Sequence, residues 1–123
     1  MSAPLTPPWL NRLAPDAIMI SSVLVQPLHG REAIIKVVQA AGGLYEAHTV
    51  VFHSQFGDRE LLEYDALAFG GMHVHGVLTL TRDAGGDIID VGIHHGPINA
   101  VNTLSAALRD RLVADLGPEY FPH

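Results

Sequence analysis

The chain has 123 residues, the length of one domain that can bury a hydrophobic core without disulfides or metals. Hydrophobic residues make up 48% and charged residues 16%, which is typical of a globular protein and excludes a disordered one. The net charge of −6 disfavours a nucleic-acid partner, and the absence of cysteine excludes disulfides, thiolate zinc sites and cysteine nucleophiles.

Prolines are concentrated at the start of the chain, where residues 1–8 hold three of the eight. We therefore expect residues 1–13 to be a lead-in with one short helical turn, residues 14–117 to form the domain, and residues 118–123 to be a tail. The opening MSAPLTPPWL lacks the basic start and apolar core of a secretion signal. Because no apolar run approaches the ~20 residues of a membrane span, we predict a cytoplasmic protein without membrane contact.

Hydrophobic periodicity predicts a strand and then a helix in the first third of the chain. The strand runs from Ala17 to Val25, after a break at Pro15-Asp16. The helix opens at residues 30–32 and keeps apolar residues at helical spacing until Gly42-Gly43, a glycine stop signal.

The pattern then changes to an alternation of period two, which is typical of antiparallel strands. Turns with glycine separate four such segments, at residues 45–56, 59–69, 72–81 and 88–95. Pro97 fits the first turn of a final helix, which ends at Gly117. Strands in a run, with helices set to one side, predict an α+β domain. We expect a strongly curved antiparallel meander packed on helices as a cone-shaped half-barrel.

Four stretches of the sequence carry a family resemblance. They are LAPDAIMISS at 13–22, HGREAI at 29–34, HGVLTL at 75–80 followed by DAGGDII at 83–89, and GPINAV at 96–101. In this order they resemble the nuclear transport factor 2-like superfamily, which includes ketosteroid isomerases and SnoaL-like polyketide cyclases. The resemblance covers about residues 9–116 and implies a cone whose apolar interior binds a small molecule.

The chain departs from these relatives at two places. The superfamily usually begins with a long helix, whereas only about a dozen residues precede Ala14. In ketosteroid isomerases two strand aspartates act as general base and oxyanion donor, and the matching positions hold Ser21 and Leu78. A serine is no base unaided and leucine has no proton to donate, so this resemblance does not extend to steroid isomerase chemistry by that route.

Alternation assigns the strand side chains to two faces. On the first strand of the meander the inward set is His48, Val50 and Phe52, and on the last strand it is Ile89, Val91, Ile93 and His95. The ligand-binding residues that we predict for the apolar interior are Ser21, Leu62, Val74, Leu78, Val91 and Ile93.

Three polar side chains of the inward set are candidate catalytic residues, namely His95, Tyr64 and His48. An imidazole buried among apolar residues can act as a general acid or base, with its pKa lowered by desolvation. A phenol in such a pocket can polarise a carbonyl group. The alternative for each is a packed core residue whose polar atoms have protein partners.

The pair His73-x-His75 offers two imidazoles that could bind a metal, with Glu63, Asp65 or His94 as further ligands. The alternation instead places both histidines on the outer face of the sheet, where polar residues contact solvent or a second copy of the chain. An outer face offers no shielded open position for a catalytic metal. We therefore predict no metal and no other cofactor.

Two hypotheses for function follow. The first is an isomerase-, cyclase- or dehydratase-like enzyme that acts on an apolar or aromatic small molecule and transfers protons through His95 with Tyr64 or His48. The second is a non-catalytic ligand-binding or assembly module, which Ser21 and Leu78 favour. In both we expect a homodimer that associates through the outer sheet face. Convergence of His95 and His48 inside the cone would favour the enzyme.

Overall fold

The computed structural model describes residues 7–122. The four segments with a period of two form strands. The four strands predicted for the meander are confirmed to within one residue at each end. In chain order the elements are a 3-10 helix Pro8–Arg12, β1 Leu13–Ser21, β2 Leu28–His29, α1 Arg31–Gly42, β3 Tyr45–Phe56, β4 Arg59–Ala68, β5 Met72–Arg82, β6 Ile88–Gly96, α2 Ile98–Leu116 and a second 3-10 helix Pro118–Tyr120.

All six strands belong to one sheet, with the order β2-β1-β6-β5-β4-β3. Strands β3 to β6 form the antiparallel meander, whereas β1 runs parallel to β6 and so brings the first strand beside the last. The sheet is strongly curved and open, and it packs against α1 and α2. The predicted α+β half-barrel is confirmed.

The first strand differs from its predicted limits. Pro15 and Asp16 do not break the chain but lie inside β1, at a register irregularity between Leu13 and Ile18. Proline cannot donate to a strand ladder, so an irregular stretch is where a strand tolerates it. The strand ends at Ser21 instead of Val25 because residues 22–27 turn toward the short strand β2.

Irregularities in the pairing of β3 and of β6 change which side chains face inward. In β3 the register passes from Val50 opposite Tyr64 to Phe52 opposite Glu63, so Phe52 lies on the outer face. The expected inward position of Phe52 is therefore wrong. A second irregularity near Arg82 places Ile88, which is fully buried, on the inner face in place of Ile89. One extra residue in a strand reverses every side chain beyond it.

The core fills the space between the inner sheet face and the two helices. Ile34 and Val37 of α1, with Leu104 and Leu108 of α2, are buried against the sheet. Phe121, which follows the second 3-10 helix, is buried in the same core. The domain thus closes one side of the cone with two amphipathic helices.

A helix that crosses a membrane needs about 20 consecutive, mostly apolar residues. No helix within residues 7–122 is both long and apolar enough to cross a bilayer.

Candidate functional site

A cavity of about 310 Å³ lies between the inner face of the sheet, the two helices and the N-terminal 3-10 helix. Its walls are mostly apolar, with Val37 and Val38 from α1 and Leu104 and Leu108 from α2. Trp9 lies at one side, so the short N-terminal segment contributes to the wall. Among the described residues that line the cavity there is no Asp, Glu, Lys or Arg. The cavity is therefore suited to an uncharged, largely apolar molecule.

Three polar side chains meet at one wall of this cavity. The hydroxyl of Tyr64 lies 2.7 Å from Nε2 of His95. The hydroxyl of Tyr45 lies 3.1 Å from the same nitrogen and 3.1 Å from the Tyr64 hydroxyl. Each distance is within hydrogen-bonding range, so the three groups form a closed network in an apolar setting. We call these residues the Tyr-Tyr-His cluster.

Burial sets the protonation of this cluster. Loss of water around the ring, helped by the neighbouring His94, lowers the pKa of His95 to about 4. Burial also raises the pKa of Tyr64, and that of Tyr45 as well. Both phenols are therefore protonated at neutral pH and His95 is uncharged, because an apolar environment disfavours the charged form of each group.

The Nε2 atom of His95 faces the hydroxyl of Tyr64 at 2.7 Å, and it either accepts from the phenol or donates to it, depending on which ring nitrogen carries the proton. The Nδ1 atom is buried and has no hydrogen-bond partner among the described residues. The backbone N–H of His95 donates to the hydroxyl of Ser22 at 2.8 Å, which ties the end of β6 to the end of β1.

His48 completes the polar wall. Its ring lies 4.5 Å from that of Tyr64 and 5.8 Å from that of Tyr45, measured between centroids. His48 is more exposed than His95, and partial burial lowers its pKa. The ring of His95 lies 6.0 Å from that of Tyr64, so both histidines approach this phenol at the cavity wall.

The structure places the predicted ligand-binding residues in two groups. Ser21, Leu62, Leu78 and Ile93 line the cavity. Val74 and Val91 are instead buried in the core and are not among the lining residues. Ser21 accepts a hydrogen bond from the backbone N–H of Val23 at 3.3 Å, so its hydroxyl proton remains available to a ligand.

Tyr45 is the site residue that the sequence analysis missed. It is the first residue of β3, 19 positions before Tyr64 and 50 before His95. Alternation from His48 and Val50 would place Tyr45 on the outer face, and an irregularity between Tyr45 and Ala47 turns it inward. The meeting of three residues from β3, β4 and β6 at one point depends on the sheet curvature, which alternation does not encode.

His73, His75 and His94 lie on the outer face, as the alternation predicted. His75 contacts Asp65 at 3.0 Å through Nδ1 and Glu63 at 3.4 Å through Nε2. The hydrogen bond to Asp65, with the charges of both carboxylates, raises the pKa of His75. Among residues 7–122 no group of three or more His, Asp and Glu is arranged as a metal site.

A comparison with protein-family models and with curated proteins finds no match for the chain. Solved structures do match. An uncharacterised protein with a cystatin-like fold from Silicibacter pomeroyi superposes with a TM-score of 0.80 at 22% identity, over 87% of this chain and 75% of that one. A steroid delta-isomerase from Pseudomonas aeruginosa gives 0.76 at 21% identity, over 85% of this chain and 77% of that one.

A third structure, a putative isomerase of the SnoaL-like family from Agrobacterium tumefaciens, gives a TM-score of 0.55 at 13% identity. It is matched over 72% of this chain and 78% of its own. Together the matches show that the chain has the nuclear transport factor 2-like fold, a fold with isomerase and ligand-binding members. The resemblance seen in the sequence is thereby confirmed for the fold.

Proposed function

We propose that the protein is an enzyme that binds an apolar small molecule carrying one oxygen function and moves a proton on it. The reaction would be of the isomerase, cyclase or dehydratase type. The observation that carries the proposal is the Tyr-Tyr-His cluster, in which two phenols and one imidazole meet in an otherwise apolar cavity. Titratable groups that converge in a shielded pocket are typical of proton-transfer sites.

The cluster divides the chemistry between two kinds of group. Tyr64 and Tyr45 keep their protons at neutral pH, so they can donate hydrogen bonds to a carbonyl or enolate oxygen. His95 and His48 are held toward the neutral form, which is the form that accepts a proton from carbon. On binding, the phenols would turn their protons from the cluster to the ligand oxygen, and the C–H proton would pass to Nε2 of His95 or to the ring of His48 and then return to the ligand.

The alternative is a protein that binds the same ligand without reacting with it. Ser21 and Leu78 both line the cavity, at the positions where the resemblance implies catalytic aspartates. No carboxylate is present among the described lining residues, and the lowered pKa makes His95 a weak base. These two observations support the alternative, so ligand binding and catalysis are measured in separate experiments.

Binding can be tested with 2-naphthol, an apolar molecule with one hydroxyl whose fluorescence distinguishes its neutral and anionic forms. We expect it to bind in the cavity. Tyr64→Phe should weaken binding by about tenfold, since one buried hydrogen bond is lost. Tyr120→Phe is the matched control, because Tyr120 lies outside the cavity wall and its change should leave binding as it is.

Catalysis can be tested with 2-tetralone in D2O, by following deuterium uptake at its α carbons by NMR. We expect the protein to accelerate uptake and His95→Gln to reduce the acceleration by about 100-fold. Binding of 2-naphthol with no accelerated uptake of deuterium would establish the non-catalytic alternative. Failure of both probes to bind would contradict the pocket function altogether.

We also propose that the protein is a homodimer that associates through the outer sheet face, in the cytoplasm and without a nucleic-acid or membrane partner. Support comes from large apolar side chains that this face leaves exposed. Ile20 is 56% exposed and Phe52 is 49% exposed. Apolar residues within a polar surround are typical of an interface core.

Sedimentation equilibrium tests the dimer. Phe52→Glu should shift the protein toward the monomer by placing a charge within the proposed interface. Ile98→Glu is the control, since Ile98 is 78% exposed but lies on α2, away from the sheet face. A monomeric parent protein, or equal dissociation of the two variants, would contradict the proposed interface.

A further inference from the structure

Gly76 occupies the middle of β5, where a glycine weakens a strand and calls for a reason. Its backbone does not supply one. Gly70 and Gly71 have φ of 80° and 101°, which other residues rarely adopt, but the φ of Gly76 is not positive. Any residue could adopt the backbone of Gly76, so the position needs the absence of a side chain.

The neighbours of Gly76 show what the missing side chain makes room for. A Cβ atom built on Gly76 would lie 2.2 Å from the Cζ atom of Tyr64 and 2.6 Å from its hydroxyl. Distances this short do not occur between non-bonded atoms, and the clash is with the end of the ring that carries the hydroxyl. The phenol of Tyr64 therefore lies directly over the Gly76 backbone.

The strand register explains why the phenol must lie there. Tyr64 is opposite Gly76 in the pairing of β4 with β5, and Gly76 is opposite His95 in the pairing of β5 with β6. Neighbouring strands are about 4.8 Å apart, so Tyr64 and His95 originate on backbones roughly 10 Å apart. A hydrogen bond of 2.7 Å between their side chains requires one of them to lean across the middle strand.

We propose that Gly76 is the positioning residue of the site: by having no side chain it lets Tyr64 cross β5 and hydrogen-bond to His95. It does not touch the ligand and is not a catalytic residue. The consequence for catalysis rests on the proposed function, whereas the positioning of Tyr64 does not. Any larger residue at position 76 separates the phenol from the imidazole and dismantles the Tyr-Tyr-His cluster.

The test is Gly76→Ala, compared with Gly92→Ala. A Cβ on Gly92 would also clash, at 2.5 Å from the Thr79 hydroxyl, but on the outer face of the sheet. The readout is the ¹⁵N resonance of the His95 Nε2 atom, which reports the hydrogen bond with Tyr64. We expect Gly76→Ala to shift it as Tyr64→Phe does, and Gly92→Ala to leave it in place. Deuterium uptake by 2-tetralone should fall by about 100-fold in Gly76→Ala alone.

A second variant covers the case in which Gly76→Ala does not fold. Adding Gly76→Ala to Tyr64→Leu, which has no ring above position 76, should neither lower the melting temperature nor shift the His95 resonance of the Tyr64→Leu chain. A further loss of folding in the double variant would overturn the proposal, as would an unshifted resonance in Gly76→Ala. A shifted resonance in Gly76→Ala, together with a parent protein that shows no exchange activity, would support the positioning of Tyr64 and refute the proposed catalysis.

Discussion

The pKa values of histidines on the two faces of the sheet are shifted in opposite directions. On the inner face His95 is partly buried, hydrogen-bonds to a phenol and has its pKa lowered to about 4. On the outer face His75 is about half-exposed, bonds to Asp65 and Glu63, and has its pKa raised. His95 pairs with Gly76, the residue next to His75, so the two imidazoles lie on adjacent strands. Their charge states are decided by the face and not by local sequence.

The largest effect on stability is expected when the same charge is placed on each of the two faces of β5. Val74 is 1% exposed on the inner face, and its neighbour His73 is exposed on the outer one. Val74→Asp buries an unpaired carboxylate and should lower the free energy of unfolding by about 4 kcal/mol or more.

His73→Asp is the matched control and should change the free energy of unfolding by about 0.5 kcal/mol or less, because solvent hydrates the new charge. Urea unfolding measures both. Similar losses in the two variants would show that the face assignment of β5 is incorrect.

A smaller effect concerns the pH dependence of stability. The folded-state pKa of His95, about 4, lies below the ordinary value of 6.5 that the unfolded chain has. The unfolded state then binds more protons as the pH falls. The neutral His95 therefore contributes stability above pH 6.5, and this contribution is lost between pH 6.5 and pH 4, amounting to about 3 kcal/mol.

Urea unfolding of the parent protein and of His95→Gln at pH 7 and pH 4 isolates this term. The parent should lose more stability on acidification than the variant does. Equal losses would mean that His95 is not shielded from water as the cavity wall implies.

The smallest effect belongs to the outer histidine. Its raised pKa gives it a contribution that is present below pH 6.5 and is lost as the pH rises through the folded-state pKa. Its partners are largely exposed, so solvent screens the pairs and His75→Gln should change the free energy of unfolding by at most about 0.5 kcal/mol. A titration of the two histidines by NMR should find His75 protonated first as the pH is lowered. The reverse order would contradict the comparison.

Much of the fold was predictable from local patterns. Alternation located the strands of the meander, and glycine and proline located the ends of α1 and α2. The same alternation placed His73 and His75 outside and His95 inside. It failed at Phe52, because the bulge at Val51 depends on how β3 pairs with β4. The break predicted at Pro15-Asp16 was also wrong, because the strand accommodates this proline at an irregular register.

The sequence by itself determined the class of the fold and the faces of most side chains, because periodicity and turn chemistry act over a few residues. Only the tertiary structure decided the site. Tyr45, Tyr64 and His95 meet because the sheet curves. Gly76 on β5 also leaves the space through which the phenol of Tyr64, on β4, reaches His95 on β6. Contacts between residues 19 to 50 positions apart depend on strand pairing and curvature, which are properties of the assembled sheet.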